Sequence, residues 1–258
     1  MSEKLKGKNV FITGASSGIG EACAVAFARE GANLLLAARR KERIDRLART
    51  LEERYGVMTH GLELDVRHQA EVERALRSLP PAWGRIDILV NNAGLSRGLV
   101  KLHAGEIADW DEMIDTNVKG LLYVTRAVLP GMVSRNSGHV INMGSIAGHQ
   151  VYPNGNVYCA SKYAVTAISE GLKMDLLGTN VRVSSVDPGL VETEFSQVRF
   201  RGDTERAAQA YVNMHPLKGE DIAEIVIFCA TRPPHVDISQ VVVMPTDQAS
   251  VNHVHRSA

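Results

Sequence analysis

The stretch Thr13-Gly14-Ala15-Ser16-Ser17-Gly18-Ile19-Gly20 decides how the rest of the chain is read. It follows a short apolar run at residues 10–13 and precedes a helical pattern at 19–30. In that pattern Ala22, Val25, Ala26 and Arg29 recur at three- and four-residue steps, and Gly31 supplies a stop. Three glycines between a strand and a helix let the backbone turn tightly and come close to a phosphate, while the helix N-terminus offers unpaired N–H groups and a partial positive charge. A glycine cluster by itself is no more than a tight turn. Its place between strand and helix makes it a cradle for a dinucleotide, with Gly14, Ala15, Ser16, Ser17, Gly18 and Ile19 as candidate contacts.

Working outward, the run at 33–38 is continuously apolar, as in a parallel strand buried on both faces. Residues 39–53 are dense in charge, yet Ile44, Leu47 and Leu51 make one apolar stripe, which predicts a helix lying on a sheet with its other face in solvent. Further strand-like runs at 59–64, 86–90, 139–143, 181–186 and 240–243 are mostly separated by helical stretches. Strands alternating with helices predict an α/β fold: a single Rossmann-type domain over residues 1–258, with a doubly wound parallel sheet of about seven strands and helices on both faces. No linker, repeat or low-complexity tract divides the chain.

Composition narrows the function. Of 258 residues 45% are hydrophobic and 22% charged, and 29 Lys+Arg balance 29 Asp+Glu. No net charge draws the chain to a polyanion, so no nucleic-acid partner is expected. Cys23, Cys159 and Cys229 sit in separate apolar runs without a Cys-x-x-Cys pair and read as buried, reduced thiols. No segment approaches the roughly 20 apolar residues of a membrane span, and the first residues lack the apolar stretch of a signal peptide. A cytoplasmic setting without membrane contact is the expectation. The nine histidines include no His-x-x-x-His pair, and no metal site is expected. Ser145 lies in Met143-Gly144-Ser145-Ile146-Ala147, which is not the Gly-x-Ser-x-Gly elbow of a hydrolase.

The second strand points to the cofactor. Where an NAD-binding chain places an acid for the ribose hydroxyls, this one reads Ala37-Ala38-Arg39-Arg40. A guanidinium there can grip the 2′-phosphate of NADP with two bonds and stack on the adenine; otherwise the two arginines merely begin a solvated helix. Tyr158 and Lys162 are four residues apart in a helical stretch, so they share one face about 6 Å apart along the axis. A phenol is a poor base at neutral pH, and a nearby ammonium would stabilise the phenolate. Ser145, just after a strand, can hydrogen-bond a substrate oxygen.

The pattern Thr-Gly-x-x-x-Gly-x-Gly at 13–20 resembles the signature of the short-chain dehydrogenase/reductase family. More of that family's motifs follow in order: Asp65-Val66, Asn91-Asn92-Ala93-Gly94, Asn117 within Thr-Asn-Val-Lys-Gly, Ser145, Tyr158-x-x-x-Lys162 and Pro188-Gly189. The resemblance spans essentially the whole chain. It implies that Asp65, with Val66, caps the adenine pocket and that Asn91 lies beside the adenosine ribose, followed by Ala93 and Gly94. It further implies Asn117, Ser145, Tyr158 and Lys162 as catalytic residues, with Asn117 relaying protons through water to Lys162, which also touches the nicotinamide ribose. Pro188, Gly189, Val191 and Thr193 would meet the nicotinamide side. The family pattern implies a cofactor-binding half at about 8–145, a catalytic and substrate-binding half at about 146–258, and a homotetramer paired through helices around 107–133 and 156–177.

Three segments resemble one subgroup of that family, the NADP-dependent 3-hydroxy acid dehydrogenases, which also oxidise serine and allo-threonine. They are Tyr152-Pro153-x-Gly155-Asn156-x-Tyr158, the run Pro188 to Gly202 containing Glu194-Phe195-Ser196-x-Val198-Arg199-Phe200-Arg201, and the ending from Met244. The substrate implied is a small 3-hydroxy acid or β-hydroxy amino acid, or a small semialdehyde in the reverse direction. Its candidate contacts are Ser145, Tyr158, Asn156, Arg199 and Arg201, with pocket polarity from His149, Gln150 and Asn154, and the tail at 252–256 reaching a neighbouring subunit. A broad-specificity carbonyl or 3-oxoacyl reductase of the same family, and a non-enzymatic NADP-binding sensor, are the other readings.

Overall fold

A computed structural model describes residues 4–257. Strands β1 (Asn9–Thr13), β2 (Asn33–Ala38), β3 (Thr59–Glu63), β4 (Ile88–Asn91), β5 (Gly138–Met143), β6 (Val181–Pro188) and β7 (Gln240–Val243) form one sheet in the order 3-2-1-4-5-6-7. Every neighbouring pair is parallel. The helices are α1 (Gly18–Arg29), α2 (Lys41–Tyr55), α3 (Gln69–Arg77), α4 (Ile107–Ile114), α5 (Leu121–Ser134), α6 (Asn156–Asp175), α7 (Phe195–Arg199), α8 (Thr204–Ala208) and α9 (Gly219–Ala230). The arrangement is the single doubly wound α/β domain that the alternation predicts.

Alternation along each strand builds two cores. Val10, Ile12, Leu34, Leu36, Val90, Ile141 and Val186 pack against α1, α2 and α9, while Phe11, Leu35, Leu89, Val140 and Val183 pack against α3 and α5. Ile44, Leu47 and Leu51 of α2 are buried as their stripe predicts. In α1 the stripe lies elsewhere: Cys23, Ala24, Phe27 and Ala28 are buried, and Ala22, Val25 and Ala26 are half-buried. The reason is that α1 is wedged between the sheet and α9, so nearly its whole circumference is covered. β4 begins at Ile88, two residues into its apolar run, and the Ile86 carbonyl accepts from Arg135 Nη2 at 2.8 Å. The 107–133 stretch is α4 and α5 joined by a π-helical turn at Asp115–Gly120, which carries Asn117. The cysteines are free and buried. Among the described residues no helix is long and apolar enough to cross a membrane.

Two features of this frame position a site. Thr13, Ala38, Asn91, Met143 and Pro188 each end a strand, so the loops that follow gather along one edge of the sheet. β1 and β4 are neighbours from which the chain winds outward in opposite directions, and the crevice between such strands is where α/β folds bind ligands. Because Phe27 is wholly buried in the core that holds α1 against this edge, Phe27→Ala should lower the unfolding free energy by about 3–5 kcal/mol. Urea denaturation measures it, and a loss under about 1 kcal/mol would show that α1 is not held there by packing.

Candidate active site

A cleft of about 720 Å³ opens along this edge. Its floor is the turn after β1. Gly14 adopts φ +67, and a Cβ there would lie 2.9 Å from Ala93 Cα, so the position takes glycine on both conformational and steric grounds. Ser17 precedes α1 in extended conformation and its hydroxyl does not cap the helix, which leaves the first-turn N–H groups available to an anion. Ser16, Gly18 and Ile19 line the cleft beside it, whereas Ala15 is buried beneath, its N–H bonded to Ala37 O at 3.1 Å.

Arg39 and Arg40 occupy the connection between β2 and α2, at the cleft edge and outside the helix. Arg40 donates to Ser16 Oγ at 3.1 and 3.2 Å and to Ser17 Oγ at 2.8 Å; Arg39 rests 3.8 Å from Glu112. Asp65 and Val66 line the next stretch of wall. Burial pushes the Asp65 carboxyl up, but the Arg67 hydrogen bonds and charge win and hold it below its ordinary value. The uncapped helix end, the serine hydroxyls and the guanidinium groups beside them fit a dinucleotide bearing an extra phosphate. Asn91 departs from expectation. Its side chain is 4% exposed and turns into the protein, donating to Thr125 Oγ1 at 2.8 Å and Asn142 Oδ1 at 2.9 Å. As the last residue of β4 it alternates away from the crevice, and Asn92, Ala93 and Gly94 line the cleft instead.

Ser145, Tyr158 and Lys162 meet on the far side of the crevice. Ser145 opens the 3₁₀ turn Ile146–Gly148, its hydroxyl accepting from Ala147 N at 3.1 Å and donating to Pro188 O at 3.5 Å, on the same cleft as the Tyr158 phenol. Tyr158 is held by Cys159, Leu95, Met113 and Ala147 in a small core of its own. Burial raises its phenol above the ordinary value, and the largest opposing influence is the Arg199 guanidinium, followed by Ser145. Lys162, the cation expected beside the phenol, has its ammonium buried and bonded to Met143 O at 2.8 Å; burial drives it down to about 8, against the pull of the Asp187 carboxylate. A Cβ on Gly94 would come 3.3 Å from Asn117 Oδ1 and 3.7 Å from Lys162 Nζ, so these two flank the glycine. Asn117 clamps Leu95 by both N–H and C=O, each at 2.8 Å, and donates to Ser161 Oγ at 3.0 Å. With those bonds made, its side chain works as a brace for the cleft wall.

Above the phenol, Pro188, Gly189, Val191 and Thr193 continue the wall into α7, and Arg199 closes it. Its Cζ stands 5.1 Å from the Phe195 ring, 5.4 Å from Tyr158 and 5.9 Å from Tyr152, and Nη2 donates to Tyr152 Oη at 3.0 Å. Its Nε is buried without a hydrogen-bond partner. Arg201, two residues on, has φ +53 and is exposed in an ion pair with Asp109, so it does not reach the cleft. Asn156 heads α6 on a separate small pocket, and His149, Gln150 and Asn154 also lie off the cleft. His149 is bound to Asp187 at 2.7 Å. The substrate end is therefore aromatic and apolar around one guanidinium. The rings of Tyr152 and Phe195 lay inside the segments singled out in the sequence, but nothing local marked them as cleft-lining. The tail folds onto its own chain: Asn252 donates to Val151 O at 3.2 Å, and Arg256 donates to Ala210 O at 3.1 Å and to the Val212 carbonyl.

The short chain dehydrogenase family model matches residues 8–203. A Salmonella typhi protein named NADP-dependent 3-hydroxy acid dehydrogenase YdfG is 50% identical over 250 residues, covering 96% of this chain and 99% of its own. The NADP-dependent 3-hydroxy acid dehydrogenase of Schizosaccharomyces pombe is 44% identical over 254 residues, covering 98% of each. A serine dehydrogenase solved in its closed form with NADP+ superposes with a TM-score of 0.90 at 47% identity, over 96% of this chain and all of that one. With the glycine turn, the Ser145–Tyr158–Lys162 group and these similarities together, the chain belongs to the short chain dehydrogenase family.

Proposed function

We propose that this protein is an NADP-dependent dehydrogenase of small 3-hydroxy acids or β-hydroxy amino acids, of the serine, allo-threonine and 3-hydroxypropionate type, which also reduces the matching small semialdehydes. One observation carries the substrate class: the Arg199 guanidinium lines the cleft 5.4 Å from the Tyr158 ring. A guanidinium pairs with a carboxylate through parallel N–H bonds. A carboxylate separated by one carbon from the carbon that bears the hydroxyl would pair with it while leaving the hydroxyl at the phenol. The relatives named as 3-hydroxy acid dehydrogenases support the same class.

Residues 16–18 and Arg40 would hold the phosphates, with Arg39 and Asp65 at the adenosine end and Pro188 to Thr193 over the nicotinamide. When bound, NADP supplies the hydride acceptor, or as NADPH the donor. Tyr158 takes the hydroxyl proton in oxidation and returns one to the carbonyl oxygen in reduction. Its burial favours the neutral phenol, the form that donates. Ser145 hydrogen-bonds the same substrate oxygen, Lys162 orients the ribose, and Arg199 both pairs the acid group and stabilises the phenolate. In this reading residues 8–145 supply the cradle and 146–258 most of the proton-transfer and substrate groups. Exposed Leu122 and Val133 on α5, with Tyr163 and Met174 on α6, support pairing of these helices in a homotetramer. The buried free thiols suit a reducing cytoplasm.

The reading is tested by following NADPH absorbance with serine, 3-hydroxyisobutyrate, 3-hydroxypropionate and an acyl thioester, with each dinucleotide; preference for the thioester or for NAD would overturn it. Tyr158→Phe should lower turnover by about 10²–10⁴ while NADP affinity stays near that of the parent, and turnover within tenfold of the parent would remove Tyr158 from the proton path. Arg199→Met should cut kcat/KM for 3-hydroxy acids by about a hundredfold and an uncharged alcohol of similar size much less. With that alcohol the alkaline rise of kcat/KM should also move to higher pH, because removing a cation disfavours the phenolate. Equal losses on both substrates would refute the pairing with the acid group.

A further inference from the structure

Arg40 is gripped from two sides. Its Nε and Nη2 are taken by Ser16 and Ser17, while Nη1 donates to Glu194 Oε2 at 2.8 Å; the other carboxylate oxygen of Glu194 accepts from Arg43 Nη1 at 2.6 Å. Glu194 immediately precedes α7, yet its carboxylate does not cap that helix. It reaches across to the dinucleotide side, at a place where the chain lies close over the phosphate turn: a Cβ on Gly18 would come 3.1 Å from the Thr193 side chain. Burial pushes the Glu194 carboxyl up, but Arg43 and Arg40 hold it below its ordinary value, so it is ionised at neutral pH.

A guanidinium grips a phosphate through two parallel N–H bonds. One paired edge of Arg40 faces the two serine hydroxyls, and the other includes the Nη1 that Glu194 occupies. The hydroxyls can rotate and donate to a phosphate themselves. A carboxylate cannot share an edge with a second anion without like-charge repulsion. We propose that Glu194 is a specificity-determining residue for the dinucleotide: its carboxylate competes with the 2′-phosphate of NADP for Arg40 and so holds NADP affinity down. Dinucleotides lacking that phosphate leave the Glu194 pair untouched. The competition keeps NADP and NADPH exchangeable, which matters where release limits turnover.

The proposal rests on Arg40 as the phosphate grip, and the test separates the two. Binding of 2′,5′-ADP and of 5′-AMP, which differ only in the 2′-phosphate, is measured by calorimetry on the full chain. Arg40→Met should bind 2′,5′-ADP at least about tenfold more weakly, the loss of a charged hydrogen-bond partner. Glu194→Gln should bind it about fivefold more tightly, the scale of a partly exposed charge contact, with 5′-AMP affinity unchanged. Glu194→Asp, which keeps the charge but draws it back, should fall between Gln and the parent. Undiminished 2′,5′-ADP affinity in Arg40→Met would overturn the reading of Arg40 and the competition with it. Weakening in Arg40→Met together with unchanged or weaker binding in Glu194→Gln would overturn the competition alone. If Glu194→Gln tightens 5′-AMP equally, Glu194 acts on the cleft as a whole and the proposal falls.

Discussion

The site depends on a clasp between the carboxyl ends of β1 and β4. Thr13 Oγ1 accepts from the N–H groups of Asn92 and Ala93, both at 3.1 Å, and the Asn92 side chain donates back to the carbonyls of Thr13 and Gly14 at 3.0 and 3.2 Å. Parallel strands at a winding reversal send their loops apart, and without cross-bonds the exposed backbone groups there would be left to water. The clasp satisfies them and fixes the distance between the two walls of the cleft. The phosphate turn hangs from one side of it. Gly94 and Leu95 hang from the other, where Asn117 takes hold of Leu95 from the π-helical turn. Helix irregularity at Asn117 and glycine at 14 and 94 are local solutions to that one geometric demand.

Burial governs the charge states of Tyr158 and Lys162. Tyr158 and Lys162 are 8% and 7% exposed, so the medium around them disfavours the phenolate and the ammonium alike. Each is balanced by an opposite charge brought from elsewhere in the chain. Arg199 comes down onto the phenol from α7, and Asp187 lies behind Lys162 at the end of β6. Asp187 is itself wholly buried and stays supplied with donors, from Ser185 at 2.5 Å and from His149 and Gln240 at 2.7 Å. The helical pair brings the phenol and the ammonium to one cleft, and distant strands and helices bear on their charge states.

The segment over the cleft is held by Phe195 and Val198, which pack on the Tyr158 cluster, and by polar contacts at its two ends. Glu194 binds Arg40 and Arg43 at one end, and at the other Arg97 bonds the Val198 carbonyl while pairing with Glu112 at 2.6 Å. Both arginines that follow β2 thus rest near carboxylates, Arg39 by Glu112 and Arg40 by Glu194. Such partly exposed pairs are individually weak and can exchange partners. This suits a wall that must admit and release a charged dinucleotide.

The glycine turn, the alternation of strands with helices, the α2 stripe and the Tyr158–Lys162 spacing are decided over a few neighbouring residues, by backbone conformation and periodicity. For that reason the sheet of parallel strands, the glycine turn at its edge and the meeting of Ser145, Tyr158 and Lys162 on one cleft were all legible in the sequence. Side-chain direction at an element's end was not. Asn91 turns inward because β4 runs through it, and α1 buries a different stripe because α9 covers its outer face. Arg199 stays over the phenol while Arg201 leaves it, because the helix ends between them and Asp109, distant in sequence, claims the second guanidinium. The tail likewise binds its own Ala210 and Val212 through partners no local pattern encodes. Local sequence was enough for the fold and for the shared face of Tyr158 and Lys162, since both are written in short-range conformational preference. Which cation faces the phenol and which carboxylate faces Arg40 depended on the tertiary fold, since those pairings join residues dozens of positions apart.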